Sequence, residues 1–328
     1  MIITIQAAQE AHRAGARILS LFANPLNTEV LRAHADGPQR LGHLHRRLDW
    51  AAEATLRGSV ASLRQAGALE KRRTEGARNA VATGLTCAGE EMLAVPDALE
   101  RWLGQCPNGP VAIDDERVKV AVKALAEGWS STLMRAIALS PRSLTELSSL
   151  IPEVSYPALE RRIGWMRASG QVIALPKEGR GTPYAPTDWL RGAVAPLCIA
   201  GRCERRHIDD APPITDVEVE AAFLLTLPLV RLPQASNGSC LLASRTDPDT
   251  HGADPVLAGT MVKVIGGEIV SISAELSSEP ATWAIGTSDV WLDAVIDGRI
   301  ENLRIGGANP SLARDLIQGL HSKLFTDR

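Results

Sequence analysis

Between Leu31 and Val172 the chain repeats itself at a constant offset of 103 residues. Leu31-Arg32-Ala33 returns as Met134-Arg135-Ala136, Pro38 as Pro141, and Leu41 and Leu44 as Leu144 and Leu147. Leu56 returns as Leu159, Leu63-Arg64 as Met166-Arg167, Gly67 as Gly170 and Leu69 as Val172. The register holds over roughly 40 residues without an insertion, and it needs proline, glycine and the apolar positions to agree at once. Whatever one copy folds into, the other is constrained to fold into as well.

Apolar spacing predicts a first helix over residues 28–35 and 132–139. The turns Asp36-Gly37-Pro38 and Ser140-Pro141 end it, because proline fixes φ and carries no N–H. A second helix is expected over 41–48 and 144–151, and a third over 51–66 and 156–169. Pro157 falls in the first turn of that third helix, where a missing donor costs nothing, and Gly67 and Gly170 end it in the left-handed conformation. An extended pair follows each time: 68–73 with 80–86 around a turn holding Arg78, and 171–176 with 182–185 around a turn holding Arg180. Three helices and a basic-tipped hairpin make a winged helix.

Copy two, with Trp129-Ser130-Ser131-Thr132-Leu133-Met134-Arg135, then Pro141-Arg142-Ser143-Leu144-Thr145-Glu146-Leu147, resembles the HxlR family of bacterial winged-helix regulators. Ile151-Pro152-Glu153-Val154-Ser155, Leu159, Arg162, Gly170 and Pro183-Tyr184-Ala185-Pro186-Thr187 continue the likeness. In copy one the stretch Gly84-Leu85-Thr86-Cys87-Ala88-Gly89-Glu90-Glu91-Met92-Leu93 has the same look. The resemblance covers residues 15–95 and 118–200; copy one departs from it at Asp49-Trp50-Ala51-Ala52, where its third helix begins. Members of that family carry one such domain and dimerise, so two copies in one chain would imitate the dimer. Gly266-Gly267-Glu268-Ile269-Val270-Ser271-Ile272 alternates like a strand, and Trp283-Ala284-Ile285, 291–299, 303–307 and an amphipathic helix over 312–324 follow. This end resembles the sterol-carrier-protein-like domain that some regulators of this kind carry. The expected fold is therefore α+β: a winged helix over 1–95, a linker over 96–116, a second winged helix over 117–207, and a sterol-carrier-like α/β sandwich over 208–328.

Charge divides along the same lines. Residues 1–207 hold 27 Lys and Arg against 21 Asp and Glu, a balance of +6; residues 208–328 hold 8 against 17, a balance of −9. A basic two thirds joined to an acidic third suggests that the parts meet different partners, although +6 over 207 residues is modest and common in proteins with no nucleic-acid role; the resemblance implies double-stranded DNA for the first two thirds. A winged helix reads base edges with its third helix. The exposed positions there are Ala52, Glu53, Arg57 and Ser59 in copy one, and Ser155, Tyr156, Pro157, Glu160 and Arg161 in copy two. Arg57 and Arg161 are the leading base readers, since a guanidinium can bridge two acceptors of guanine. Arg46, Arg47, Arg78, Arg142, Lys177 and Arg180 are placed to meet phosphates or the minor groove from turns and wings. Tandem copies address a two-part operator, its halves one helical turn apart if they dock as a dimer does. In the C-terminal domain Val264, Trp283, Ile285, Trp291 and Leu292 are candidates to line a cavity for an apolar or aromatic effector, with a plain core as the alternative.

Other readings are weaker. The N-terminus carries no basic run ahead of an apolar core, and the longest apolar stretches, near residues 192–201 and 221–230, are too short to span a bilayer, so the chain is expected to be cytoplasmic and off the membrane. Five scattered cysteines suggest reduced thiols, and Cys198, Cys203 and His207 match no zinc module. No phosphate-binding or metalloprotease motif occurs; Ser239-Cys240 and His251 lack an orienting acid, and Asp209-Asp210 falls in a Pro-rich stretch. No enzyme activity and no cofactor are expected. Two alternatives stay open: a winged-helix scaffold for protein partners, and a DNA-binding regulator whose last domain only dimerises. On this reading the chain is a monomer or a homodimer.

Overall fold

The computed structural model describes residues 13–73, 81–113, 115–128, 130–176, 179, 181–245, 257–275 and 280–326. Over these the protein is a mixed α/β chain with small sheets, and it groups into two compact units. One holds the residues up to Ala126 together with 199–213; the other holds 127–198 together with the chain from Ile214 onward.

In the first unit α1 (Ala16–Leu21) and α2 (Pro25–Ala33) precede α3 (Leu41–Arg47) and α4 (Glu53–Gln65). Asn24 caps α2 by accepting from the Leu26 N–H at 3.2 Å, with Pro25 at the first helical position. β1 (Leu69–Arg73) and β2 (Val81–Leu85) pair antiparallel, Leu69 opposite Leu85. α5 (Cys87–Met92), α6 (Ala94–Gly104) and α7 (Glu116–Gly128) follow. The expected linker over 96–116 thus holds most of a helix that buries Pro96, Ala98, Leu99, Trp102 and Leu103. Pro96 lies in its first turn, where an N–H has no intrahelical partner, so it marks a helix start and not a break.

The second copy runs α8 (Ser131–Leu139), α9 (Leu144–Leu150), α10 (Tyr156–Ala168), β3 (Val172–Ala174), β4 (Tyr184–Pro186), α11 (Asp188–Gly192) and α12 (Val194–His207). Ser143 and Glu146 form a reciprocal cap on α9: the Ser143 hydroxyl accepts from the Glu146 N–H at 3.3 Å, and the Glu146 carboxylate accepts from the Ser143 N–H at 2.7 Å. α3 and α9 begin and end 103 residues apart, and so do α4 and α10. Their cores match position by position. Leu31, Leu44, Leu48, Leu56, Leu63 and Leu69 are buried in one copy; Met134, Leu147, Ile151, Leu159, Met166 and Val172 are buried in the other. Truncating one of these leucines to alanine removes about 2–5 kcal/mol.

The hairpin is where the register changes. Leu69 pairs with Leu85, but Val172 pairs with Pro186, an offset of 101 on the return strand, so the second hairpin is two residues shorter. The new offset persists. Thr86 and Thr187 each cap the next helix, accepting from Gly89 N at 3.0 Å and Leu190 N at 3.2 Å. Each hydroxyl also donates back to the start of the hairpin, Thr86 to Gly67 O at 2.6 Å and Thr187 to Gln171 O at 2.9 Å. One further rung joins the hairpin to the turn before the second helix, at Gln39–Thr83 and at Arg142–Tyr184.

The C-terminal segment opens with α13 (Asp216–Thr226), capped by Thr215 and Glu218 and continued by a 3-10 turn over Leu227–Leu229. β5 (Gly238–Arg245), β6 (Leu257–Ile265), β7 (Glu268–Ser273), β8 (Thr282–Gly286), α14 (Ser288–Asp297), β9 (Arg304–Gly307) and α15 (Pro310–His321) complete it. The sheet order is β7-β6-β5-β8-β9, antiparallel except for β5 beside β8. Gly266 and Gly267, both at positive φ, make the two-residue turn from β6 to β7. One core joins Val219 and Phe223 of α13, Cys240, Leu242, Val262 and Ala284 of the sheet, Trp291 of α14, and Leu312 and Leu316 of α15. α13 is also tied to the second copy. Arg135 Nε of α8 donates to the buried Glu220 carboxylate at 2.9 Å, and Arg191 Nη1 of α11 donates to the Leu225 carbonyl near the end of α13 at 2.9 Å.

Candidate nucleic-acid interface

The buried faces of α4 and α10 dictate what each helix exposes. Leu56 and Leu63 anchor α4, and Leu159, Ile163 and Met166 anchor α10. The opposite stripe is open in both: Glu53, Ala54, Arg57, Gly58 and Ala61 in α4, and Tyr156, Pro157, Glu160, Arg161 and Gly164 in α10. Arg57 Nη2 lies 2.5 Å from the Glu53 carboxylate one turn back, with both side chains more than half exposed. Such a pair holds only about 0.3–0.5 kcal/mol, so Arg57 can leave it for a stronger acceptor. The Arg161 guanidinium lies over the Trp165 ring, 5.5 Å from its centre, which stiffens a long side chain before any partner arrives. Tyr156 is exposed, and Ser155 precedes α10 with a hydroxyl that makes no capping bond.

The other candidate cations lie on the neighbouring helix and turns. Arg46 on α3 is exposed and donates from Nε to the Gly42 carbonyl at 3.3 Å. Arg47 holds Asp36 at 2.8 Å. Arg142 sits on the rung to Tyr184, donating from its backbone N–H to the Tyr184 carbonyl at 3.1 Å, with its side chain half-buried. Arg78, Lys177 and Arg180 lie outside the described residues.

Ser59 lies off the exposed stripe. It follows Leu56 by three residues and precedes Leu63 by four, which puts it on the core face, and it is only 3% exposed. Three features were not anticipated. Trp50 is 64% exposed in the turn between α3 and α4. Lys71 and Arg72 stand exposed on β1, with Arg72 Nη2 donating to the Leu85 carbonyl at 2.8 Å. Gly58 and Gly164 lie inside the two helices with nothing within 4 Å of where a Cβ would stand. A mid-helix glycine costs roughly 0.5–1 kcal/mol against alanine, and neither has a packing reason among the described residues. The sequence signal, a glycine at an exposed helical position, was legible only once the helix phase was known.

The five effector candidates do not converge on one cavity. Val264 and Trp291 belong to the packed core, where the Trp291 indole N–H donates to the Ala243 carbonyl at 2.8 Å and the ring meets Phe223 edge-on at 4.7 Å. Trp283 and Ile285 flank Ala284 on β8, so strand alternation turns them to the opposite face, where Trp283 lies across Gly306. Leu292 is buried on α14 outside that core cluster. A recess of about 340 Å³ lies elsewhere in this segment, lined by Leu229, Arg231, Pro233, Asp315, Gln318 and Lys323 among others.

Among the described residues no group of His, Cys, Asp or Glu is arranged to hold a metal ion, and no helix is long and apolar enough to cross a membrane. Cys203 is buried, its thiol pushed up to about 12 by that burial, and His207 Nε2 lies 2.7 Å from the Glu91 carboxylate. No protein-family model matches the chain, and no curated protein matches it.

Proposed function

We propose that the protein is a sequence-specific double-stranded-DNA-binding regulator in which each repeat copy acts as a winged helix and the C-terminal segment, a sterol-carrier-like module, adjusts the binding. The observation that carries this reading is the duplicated helix pair. α3–α4 and α9–α10 share bounds, buried positions and an exposed stripe, and each stripe presents one arginine with no buried obligation, Arg57 or Arg161. Hairpins beside each pair, with Lys71 and Arg72 exposed on one of them, supply cations for the backbone.

Regulation has a physical route in α13. Arg135 and Arg191 of the second copy hold it from one side, and it packs into the sheet core on the other. A small molecule that shifts α13 changes the second copy only if it binds the shifted and unshifted arrangements with different affinity. The recess includes Leu229, which closes the 3-10 turn that follows α13, and its volume of about 340 Å³ lies at the low end of the range of ligand pockets.

Selection of the intact chain on a randomised duplex pool tests the reading. A two-part motif should be enriched, and Arg57→Ala or Arg161→Ala should each weaken binding to it by about 1–3 kcal/mol with relaxed preference at one base position. A pool that returns no motif, with both variants indistinguishable from the parent, would leave a protein-binding scaffold as the better account.

A further inference from the structure

The two exposed stripes can be compared residue for residue, because α4 and α10 share their bounds and their buried anchors, Leu56 with Leu159 and Leu63 with Met166. Equal phase about the helix axis means that equivalent positions face the same way. Their chemistry differs at each of the leading positions. Glu53 stands where Tyr156 stands, Arg57 where Glu160 stands, and Gly58 where Arg161 stands; all six positions are exposed. The charge at one shared position is therefore positive in the first copy and negative in the second. One turn earlier, an acid in the first copy is replaced by an aromatic in the second.

From this we infer that the two copies read different half-sites, so that a single chain recognises a non-palindromic element and is oriented on it. The inference rests on the DNA-binding reading above. A guanidinium at Arg57 suits the paired acceptors of guanine. A carboxylate at Glu160 is repelled by those acceptors and by phosphate, and finds its base partner in the amino group of cytosine. Arg161, one residue on and stiffened over Trp165, suits guanine at a neighbouring position that Gly58 leaves unread in the other half. Close approach is available to both helices through Gly58 and Gly164. The duplication thus keeps the scaffold and changes the reading side chains, which is what discrimination between two half-sites requires.

The test is selection on a randomised duplex pool with the intact chain and with Glu160→Gln and Arg57→Gln, each variant checked for unchanged thermal unfolding. The expected motif has two unlike halves. Glu160→Gln should lower the preference for cytosine at one position of one half by about tenfold and raise adenine there, since a side-chain amide pairs with adenine. Arg57→Gln should change one position of the other half only. A unit built from two copies of one half-site, or a variant that alters both halves alike, would overturn the inference while leaving DNA binding intact. Failure of the parent chain to enrich any motif would overturn the DNA reading itself, and this inference with it.

Discussion

Gly58 and Gly164 weaken their own helices, and among the described residues nothing packs within 4 Å of where a Cβ would stand at either site. Replacing each by alanine should raise stability by about 0.5–1 kcal/mol in urea unfolding, because the helix gains propensity and the unfolded chain loses freedom. On the present account the same change weakens duplex binding by placing a methyl group in the contact surface. Ser59 gives the opposite pair of outcomes. Among the described residues its buried hydroxyl has no hydrogen-bond partner, so Ser59→Ala should leave duplex affinity unchanged and stability equal or slightly higher, by up to about 1 kcal/mol. The exposure of Arg57 and Arg161 was legible in the sequence because they fall one and two residues past the repeated leucines Leu56 and Leu159, whose burial was foreseeable. Ser59 was misplaced because a polar residue three positions from one core leucine and four from another is turned inward by geometry whatever its polarity.

At the scale of elements, His34 pins the end of α2 to the hairpin. Its Nδ1 lies 2.7 Å from the Val30 carbonyl and its Nε2 lies 2.8 Å from the Thr83 hydroxyl of β2. Burial pushes the imidazole below its ordinary value, so the fold holds it neutral while the unfolded chain takes up a proton. The stability it contributes is full above the ordinary value of 6.5 and is lost as pH falls from there through the lowered value. Copy two has the buried Ile137 at the equivalent place, which takes up no proton. Hydrogen exchange should therefore show protection of α2 and β2 falling between about pH 7 and pH 5 while α8 and β4 hold, and His34→Gln should remove the difference. A fall shared equally by both copies would contradict this. The helix pairs and hairpins could be read from the repeat because proline, glycine and apolar spacing punctuate them. The helix pair after each hairpin could not, since a two-residue shortening breaks the constant offset. β5 was missed for a different reason: Cys240 to Ser244 are buried on both faces, which erases the alternation that marks a strand.

At the scale of the whole molecule, one repeated arginine is used in two ways. Arg32 holds Glu100 and Asp97 of α6 within its own copy, whereas its counterpart Arg135 holds Glu220 of α13. The C-terminal segment thus gives the second copy the carboxylate that the first takes from its own helix, a link the sequence could not show because 85 residues separate the partners. Burial raises the Glu220 carboxyl above its ordinary value and Arg135 opposes the rise. Arg135→Ala should cost about 1–3 kcal/mol at neutral pH, less than for a fully buried pair because Arg135 stays partly solvated. The loss should shrink as pH falls and Glu220 takes up a proton, which urea unfolding at neutral and mildly acidic pH would resolve. The acidic C-terminal third, at −9, also separates duplex binding from a general attraction of the whole chain for polyanions. The most direct test of the central claim is the affinity of the intact chain for duplex DNA as salt is raised. Log affinity should fall linearly with log salt, with a slope of about −0.9 for each phosphate met and at least about a tenfold loss between roughly 50 and 200 mM. A flat response, or no binding at the lowest salt, would contradict it.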